Sequence, residues 1–237
     1  MRGTIVKRLV VVCGILLAVA VTPGSGKAEV IQYGPRGCKG IALTFDLCPV
    51  KEGSGYDQPL IDLLVGKRIP ATFFMSGRWM AKHDREVKAL LTVPFFEIGT
   101  HGHVHAHLPE LDERAQRGEV QKAVNLLQTR YARQATLFRP PYGEYNDVTV
   151  KVADSLGLTL VLWNVVSGDP DPSLAREHIV QAMKVGVKTG SIVVFHANGK
   201  GRHTRAVIED LHDYLLDRGL QPMTITELMT CAPPAQP

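Results

Sequence analysis

Two sequence periodicities alternate along this chain of 237 residues, and their alternation limits the possible folds more than any other feature. Short apolar runs, bounded by turn residues, predict strands, and longer stretches with apolar residues at helical spacing predict helices. The predicted strands are Ile41 to Phe45, Ala71 to Met75, Phe95 to Ile98, Thr136 to Phe138, Thr159 to Trp163, Ser191 to Phe195 and Pro222 to Ile225. The predicted helices are Gln58 to Gly66, Arg78 to Leu91, Arg114 to Tyr131, Asn146 to Leu156, Ala175 to Val185 and Thr204 to Arg218. Strands that alternate with helices form parallel βαβ units, so we expect a single-domain α/β fold, a (β/α) barrel that is distorted or incomplete.

The first 20 residues have the pattern of a secretory signal peptide. Basic residues precede an apolar run from Leu9 to Val21, and Ala18-Val19-Ala20 fits an A-x-A cleavage site, with cleavage after Ala28 as the alternative. The apolar run is too short to span a bilayer comfortably. We therefore expect a secreted or periplasmic protein with no integral membrane segment after processing.

The remaining chain has the size and charge of one exported domain. Removal of residues 1–20 lowers the net charge from +4 to +1, because that segment carries three basic residues and no acid. So small a positive net charge argues against a nucleic-acid partner. We expect the barrel to occupy residues 29–231 and to be followed by a short Pro/Ala tail at residues 232–237.

Three cysteines remain in the processed chain, which allows one disulfide and one free thiol. The predicted strand between Cys38 and Cys48 separates them by roughly 20 Å, whereas the Cα atoms of a disulfide lie within about 7 Å. In a βα barrel the last helix returns to the face where the first strand begins. The predicted pair is therefore Cys38 and Cys231, with Cys48 free.

Polar residues repeatedly follow the predicted strands at their carboxyl ends, where the catalytic groups of a parallel barrel meet. These residues are Asp46, His101 and His105, the segment Arg139-Pro140-Pro141-Tyr142-Gly143, Asp169 and His196. Such repeated placement predicts one active site at the barrel mouth.

Four histidines lie within seven residues, at positions 101, 103, 105 and 107. In a strand all four rings would share one face, whereas in a helical turn His101 and His105 would form one pair and His103 and His107 another. Because a predicted strand ends just before the segment, we favour the helical turn. Its His101–His105 pair, at i and i+4, is a suitable half-site for zinc. The alternative is a solvated, histidine-rich loop.

Five motifs resemble one known family when they are taken in order along the chain. They are Leu43-Thr44-Phe45-Asp46, Glu97-Ile98-Gly99-x-His101-x-x-x-His105, Phe138-Arg139-Pro140-Pro141-Tyr142-Gly143, Trp163 through Asp169, and Ile192-Val193-Val194-Phe195-His196. The chain is similar in these motifs to the polysaccharide deacetylases of carbohydrate esterase family 4, which are built on the NodB homology domain. The resemblance covers Gly40 to Met229.

The resemblance implies a secreted hydrolase that removes acetyl groups from N-acetylated polysaccharides or oligosaccharides and does not cleave peptide bonds. It implies attack by a metal-assisted water, with zinc as the expected divalent ion. The implied roles are Asp46 as general base, His196 as general acid, Asp169 and Arg139 as their partners, Tyr142 with Pro141 at the oxyanion and substrate site, and His101 and His105 as metal ligands.

One departure from the family pattern concerns the metal. The family places a second aspartate after the first as third ligand, and this chain has Leu47 there. The candidates for a replacement ligand are Asp46, Cys48, Glu52 and Asp57. Two alternatives therefore stay open, a metal-independent amide hydrolase of the same superfamily and a glycan-binding pseudoenzyme without activity.

Overall fold

A computed structural model describes residues 30–232, so the predicted signal peptide and the end of the predicted tail lie outside the described residues. The strands are β1 Val30–Ile31, β2 Gly40–Leu47, β3 Ala71–Met75, β4 Phe96–Thr100, β5 Leu137–Phe138, β6 Thr159–Val161, β7 Val165–Val166, β8 Ile192–His196 and β9 Gln221–Met223. The helices are α1 Gln58–Gly66, α2 Gly77–Lys82, α3 Asp84–Thr92, α4 Glu113–Tyr131, α5 Asp147–Ser155, α6 Arg176–Gly186, α7 Thr204–Asp217 and α8 Ile225–Thr230. Within this range no helix is long and apolar enough to cross a membrane.

The strands form one curled, fully parallel sheet in the order β1-β6-β5-β4-β3-β2-β8-β7, and β9 pairs with the start of β2. Within residues 30–232 no ladder joins the two ends of this order, β1 and β7. The helices connect successive strands, as parallel pairing requires. The predicted α/β fold, an incomplete barrel, is confirmed.

Strand β2 is buried along its whole length and separates two apolar clusters. Phe45 and Leu47 lie on one face, in the main core, whereas Ala42 belongs with Phe74 to a smaller cluster. Because side chains alternate across a strand, Asp46 shares the face of Ala42. The strand therefore directs its one carboxylate away from the main core.

Several predicted boundaries differ from the structure for local reasons. The helix predicted over Arg78–Leu91 is two helices that meet at His83, whose ring bonds the carbonyl oxygens of Trp79 and Ser54. The last predicted strand ends before Ile225, because the side chain of Thr224 caps α8. Strands β1 and β7 have two residues each, too few to produce a periodic pattern.

The predicted disulfide is confirmed. Cys38 lies just before β2 and Cys231 just after α8, with their Cα atoms 5.8 Å apart. Helix α8 packs beside the amino-terminal half of β2, which brings the two cysteines together at the amino-terminal end of that strand. Cys48 is free and buried.

Replacing Cys38 with serine should lower the free energy of unfolding by about 2–4 kcal/mol, because a crosslink across 193 residues restricts the unfolded chain. Urea unfolding with and without reductant measures this effect. Reductant should destabilise the native protein and leave the variant unchanged. Equal midpoints for the two oxidised samples would contradict the prediction.

Candidate active site

A pocket of about 270 Å³ opens at the carboxyl ends of the central strands. Asp46, His101, His105, Tyr142 and His196, which the sequence predicted as site residues, all line it. Arg139 is fully buried against Asp46, and Asp169 is buried against His196. Pro141 is buried in the turn that presents Tyr142.

The carboxylate of Asp46 is held by a buried arginine. Nη1 of Arg139 donates a hydrogen bond of 2.9 Å to Oδ1 of Asp46, and neither side chain has appreciable exposure. Burial raises the pKa of the Asp46 carboxyl, but nearby His101 and the Arg139 guanidinium lower it more, so the pKa lies below 3.8. The permanent charge of Arg139 acts whatever the state of His101. Asp46 is therefore an ionised carboxylate at neutral pH.

His196 faces Asp46 across two adjacent strands, because the two residues are register partners in the β2–β8 ladder. Nδ1 of His196 lies 3.0 Å from Oδ1 of Asp169, and the backbone N–H of His196 donates to Oδ2 at 2.9 Å. Burial lowers the pKa of the His196 imidazole, but the hydrogen bond and charge of Asp169 outweigh it and raise the pKa above 6.5. His196 can therefore hold a proton on Nε2 for transfer.

The rings of His101 and His105 lie side by side, with centroids 4.9 Å apart. Nδ1 of His101 is 2.8 Å from the carbonyl oxygen of Arg139, and so donates to it, which leaves Nε2 as the acceptor, 3.7 Å from Oδ2 of Asp46. Burial lowers the pKa of His101, and burial together with the His101 ring lowers the pKa of His105 to about 3. Both rings are neutral at physiological pH, as metal ligands must be.

The predicted helical turn at these histidines is wrong. Residues 101–107 form an irregular loop, in which Gly102 has φ +67° and His105 has φ +70°. Left-handed residues interrupt a right-handed helix, so the two rings meet through a loop reversal and not through i, i+4 spacing. The predicted pairing of His101 with His105 nevertheless agrees with the structure.

Tyr142 extends from a short turn beside the histidines. Its backbone is left-handed (φ 60°), its side chain is half exposed, and its ring stacks on His107 at 4.1 Å and meets His105 edge-on at 4.4 Å. The next residue, Gly143, passes so close to Trp163 that a Cβ there would lie 2.8 Å from the indole. The turn is thus packed between the histidine loop, residues 101–107, and the indole of Trp163.

The candidate replacement ligands lie in different places. Leu47 belongs to the main core, so an aspartate at that position would be buried among apolar side chains. Cys48 lines the pocket, but its Sγ lies 3.0 Å from Nδ2 of Asn198, and burial raises the pKa of the thiol to about 11. Glu52 is exposed on a loop, and Asp57 accepts a hydrogen bond from the backbone N–H at the start of α1. Neither carboxylate lines the pocket.

The donor set therefore fits a divalent ion only in part. His101 and His105 supply two neutral imidazoles, whereas a catalytic zinc site normally has three protein ligands. Within residues 30–232 no group of three histidine, cysteine or acidic side chains is arranged to hold an ion. The carboxylate that lines the pocket with this pair is Asp46, and it already bonds Arg139.

Lys200 and Glu119 are polar residues at or beside the site that were not predicted. Lys200 lines the pocket, with Nζ 3.9 Å from Sγ of Cys48, and nothing in its sequence context marks it. Glu119 bonds the backbone of the histidine loop from the buried face of α4. A carboxylate four residues before Ala123, on the buried face of the helix, was the available signal for Glu119.

Replacing His101 with alanine should abolish zinc binding, because it removes one of only two imidazole donors. Calorimetric titration of the metal-free protein should show about one weak site in the native chain and none in the variant. His107→Ala is the matched control, because His107 lies in the same loop but bonds Glu144 at the surface. Unchanged zinc stoichiometry in His101→Ala would remove this pair from the metal site.

Comparison with known proteins agrees with the fold and the motifs. The polysaccharide deacetylase family model matches residues 33–161. A peptidoglycan-N-acetylglucosamine deacetylase from Bacillus cereus is 30% identical over 200 residues, which cover 82% of this chain and 90% of that protein.

Two solved structures have the same fold. A carbohydrate esterase family 4 pseudoenzyme from Bacillus anthracis superposes with a TM-score of 0.77 at 25% identity, over 85% of this chain and 69% of that one. A family 4 carbohydrate esterase from Streptomyces lividans, in complex with acetate, gives 0.68 at 29% identity, over 78% and 92%. The predicted hydrolase class is confirmed, and the chain belongs to the polysaccharide deacetylase family.

Proposed function

We propose that this protein is an exported enzyme that removes acetyl groups from N-acetylglucosamine-containing glycans, with peptidoglycan as the first candidate. The observation that carries the proposal is the pairing of Asp46 with His196 on adjacent strands at one pocket, each held by its own buried partner. The peptidoglycan specificity named for the Bacillus cereus relative supports the choice of substrate.

Asp46 acts as the general base. Arg139 occupies Oδ1, so Oδ2 is the oxygen that takes a proton from water as the water oxygen bonds to the acetyl carbonyl carbon. The low pKa of Asp46 keeps it ionised in the resting protein. The backbone N–H of Tyr142, with Pro141 fixing its turn, is the proposed donor to the oxyanion.

His196 acts as the general acid. As the C–N bond breaks, Nε2 gives its proton to the departing sugar nitrogen, and the products are acetate and a free amine. Asp169 holds Nδ1 and stabilises the protonated ring, while Ser167 and Thr204 each donate a hydrogen bond to Asp169. These bonds keep Asp169 itself in place.

Zinc is the proposed divalent ion, which His101 and His105 would hold weakly. When bound, it would supply a Lewis acid that polarises the acetyl carbonyl. We further propose that residues 1–20 direct export, that the deacetylase domain spans residues 29–231, and that the protein works in the periplasm or outside the cell.

A glycan-binding pseudoenzyme is the second candidate. Leu47, buried in the core where the family places a ligand, favours it, and so does the likeness to the Bacillus anthracis pseudoenzyme. A metal-independent amide hydrolase is the third. Acetate release measured with and without chelator separates these candidates, since only the pseudoenzyme binds glycan without releasing acetate and only the metal-independent enzyme ignores the chelator.

Asp46→Asn and His196→Ala should each lower kcat for acetate release by about 10²- to 10⁴-fold, the usual contribution of a general base or acid. The double variant should be little worse than either single one, because the two groups act as a unit. Chitin oligomers and purified peptidoglycan serve as substrates. His178→Ala, an exposed histidine on α6, is the control. Nearly native acetate release by Asp46→Asn would refute the base assignment.

Asp169→Asn should move the alkaline limb of the pH–rate profile to lower pH. His196 must be protonated to act, so activity falls as pH rises through its pKa, and Asp169 is what raises that pKa. The profile of kcat/KM measures the shift. Asp171→Asn, an exposed acid in the same loop, should leave the profile unchanged. An unmoved alkaline limb in Asp169→Asn would separate His196 from the acid role.

A further inference from the structure

The loop that carries His105 is held by a carboxylate outside the pocket. The backbone N–H groups of four consecutive residues, 103–106, point at one oxygen, Oε1 of Glu119. The N···O distances are 2.9, 2.6, 3.1 and 3.5 Å in chain order. Consecutive amides that converge on one anion form a backbone nest, in which the anion determines the path of the chain.

Among residues 30–232, the hydrogen bonds found for the Glu119 carboxylate are those to this loop. Glu119 lies on α4 with 7% exposure, and among residues 30–232 no lysine, arginine or histidine nitrogen lies within 4.0 Å of its carboxylate. Burying a carboxylate without hydrogen bonds costs free energy, and hydrogen bonds to an ionised acceptor are stronger than those between neutral groups. The loop amides therefore compensate the carboxylate, and the carboxylate fixes the loop.

Helix α2 holds the same loop from the other side. The N–H groups of Gly77 and Arg78 donate to the carbonyl oxygens of Gly102 and His103, at 2.9 and 2.8 Å. A Cβ on Gly102 would lie 3.3 Å from Oε1 of Glu119, so a glycine permits this close approach. The loop is thus clamped between the first turn of α2 and the side chain of Glu119.

The clamp holds His105 in a left-handed backbone conformation. His105 has φ +70°, a region disfavoured for any residue with a Cβ. In this conformation its ring lies against His101 and Tyr142. If Glu119 were removed, four backbone amides would lose their acceptor and His105 could relax toward a right-handed backbone, away from both rings.

We propose that Glu119 is a positioning residue that holds the histidine loop, and thereby His105, in the arrangement that acetyl transfer to water requires. The proposal rests on the proposed deacetylase function for its kinetic consequence. It assigns Glu119 a role distinct from that of the groups lining the pocket, because Glu119 acts only through the backbone of residues 103–106.

Two variants test the proposal. Glu119→Ala removes the acceptor, whereas Glu119→Gln retains an oxygen at the Oε1 position without the charge. We expect kcat for acetate release to fall about 100-fold in the alanine variant, with KM nearly unchanged, as a small displacement of site groups can cause. The glutamine variant should recover part of the loss. Hydrogen exchange of the loop amides, followed by mass spectrometry, should be fastest in the alanine variant.

Glu97→Ala is the matched control. Glu97 is likewise an acid whose carboxylate accepts backbone N–H groups, those of Ile225 and Thr226 at the start of α8, far from the pocket. This variant should lower the melting temperature without changing kcat or the exchange of residues 103–106. It therefore separates a general loss of stability from a loss of positioning.

Unchanged amide exchange in Glu119→Ala would overturn the proposal whatever the activity. Faster exchange with an unchanged kcat would also overturn it, because the loop would then be structural only. An inactive native protein would refute the proposed deacetylase function, while the exchange experiment would still decide whether Glu119 organises the loop.

Discussion

The active site depends on a guanidinium buried at the centre of the sheet. Arg139 has no exposed surface and donates to Asp46, to the carbonyl oxygen of Val161 and to that of Leu162. Its guanidinium carbon lies 4.1 Å from the ring centre of Phe74. Removing a charge from water is expensive unless its hydrogen bonds are satisfied, and here the partners come from separate strands. The arginine and the strand ends therefore stabilise each other's positions.

The backbone of Arg139 extends this arrangement to the histidines. Its N–H donates to the carbonyl oxygen of Thr100, and its own carbonyl oxygen accepts from Nδ1 of His101. Arg139 thus orients the Asp46 carboxylate through its side chain and the His101 imidazole through its main chain. Strand β5 has only two residues, but the hydrogen bonds of Arg139 extend the fixed part of the chain beyond it. This explains how so short a strand can contribute to the site.

Much of this organisation could be predicted from the sequence, because strand and helix periodicities are local. The placement of Asp46, Arg139 and His196 at one site followed from the rule that parallel strands bring their carboxyl ends together, whereas their individual roles came from the family resemblance. The path of residues 101–107 could not be predicted, since Glu119, which lies a helix away, imposes two left-handed residues on it. The two-residue strands β1 and β7 were not predicted for a different reason. Their pairing depends on neighbouring strands of the sheet and not on their own sequence.

The geometry of Asp46 also limits how the site can use a metal. Oδ1 is occupied by Arg139, and Oδ2 faces Nε2 of His101 at 3.7 Å. An ion bound to Nε2 of His101 would compete for Oδ2, the oxygen that takes a proton from water in the proposed mechanism. Leu47 lies in the core and Cys48 keeps its proton, so neither residue supplies a metal ligand in place of Asp46. Under the proposed mechanism, the Asp46 carboxylate cannot serve both as a strong third zinc ligand and as the free base, so that mechanism requires a metal bound weakly or without Asp46.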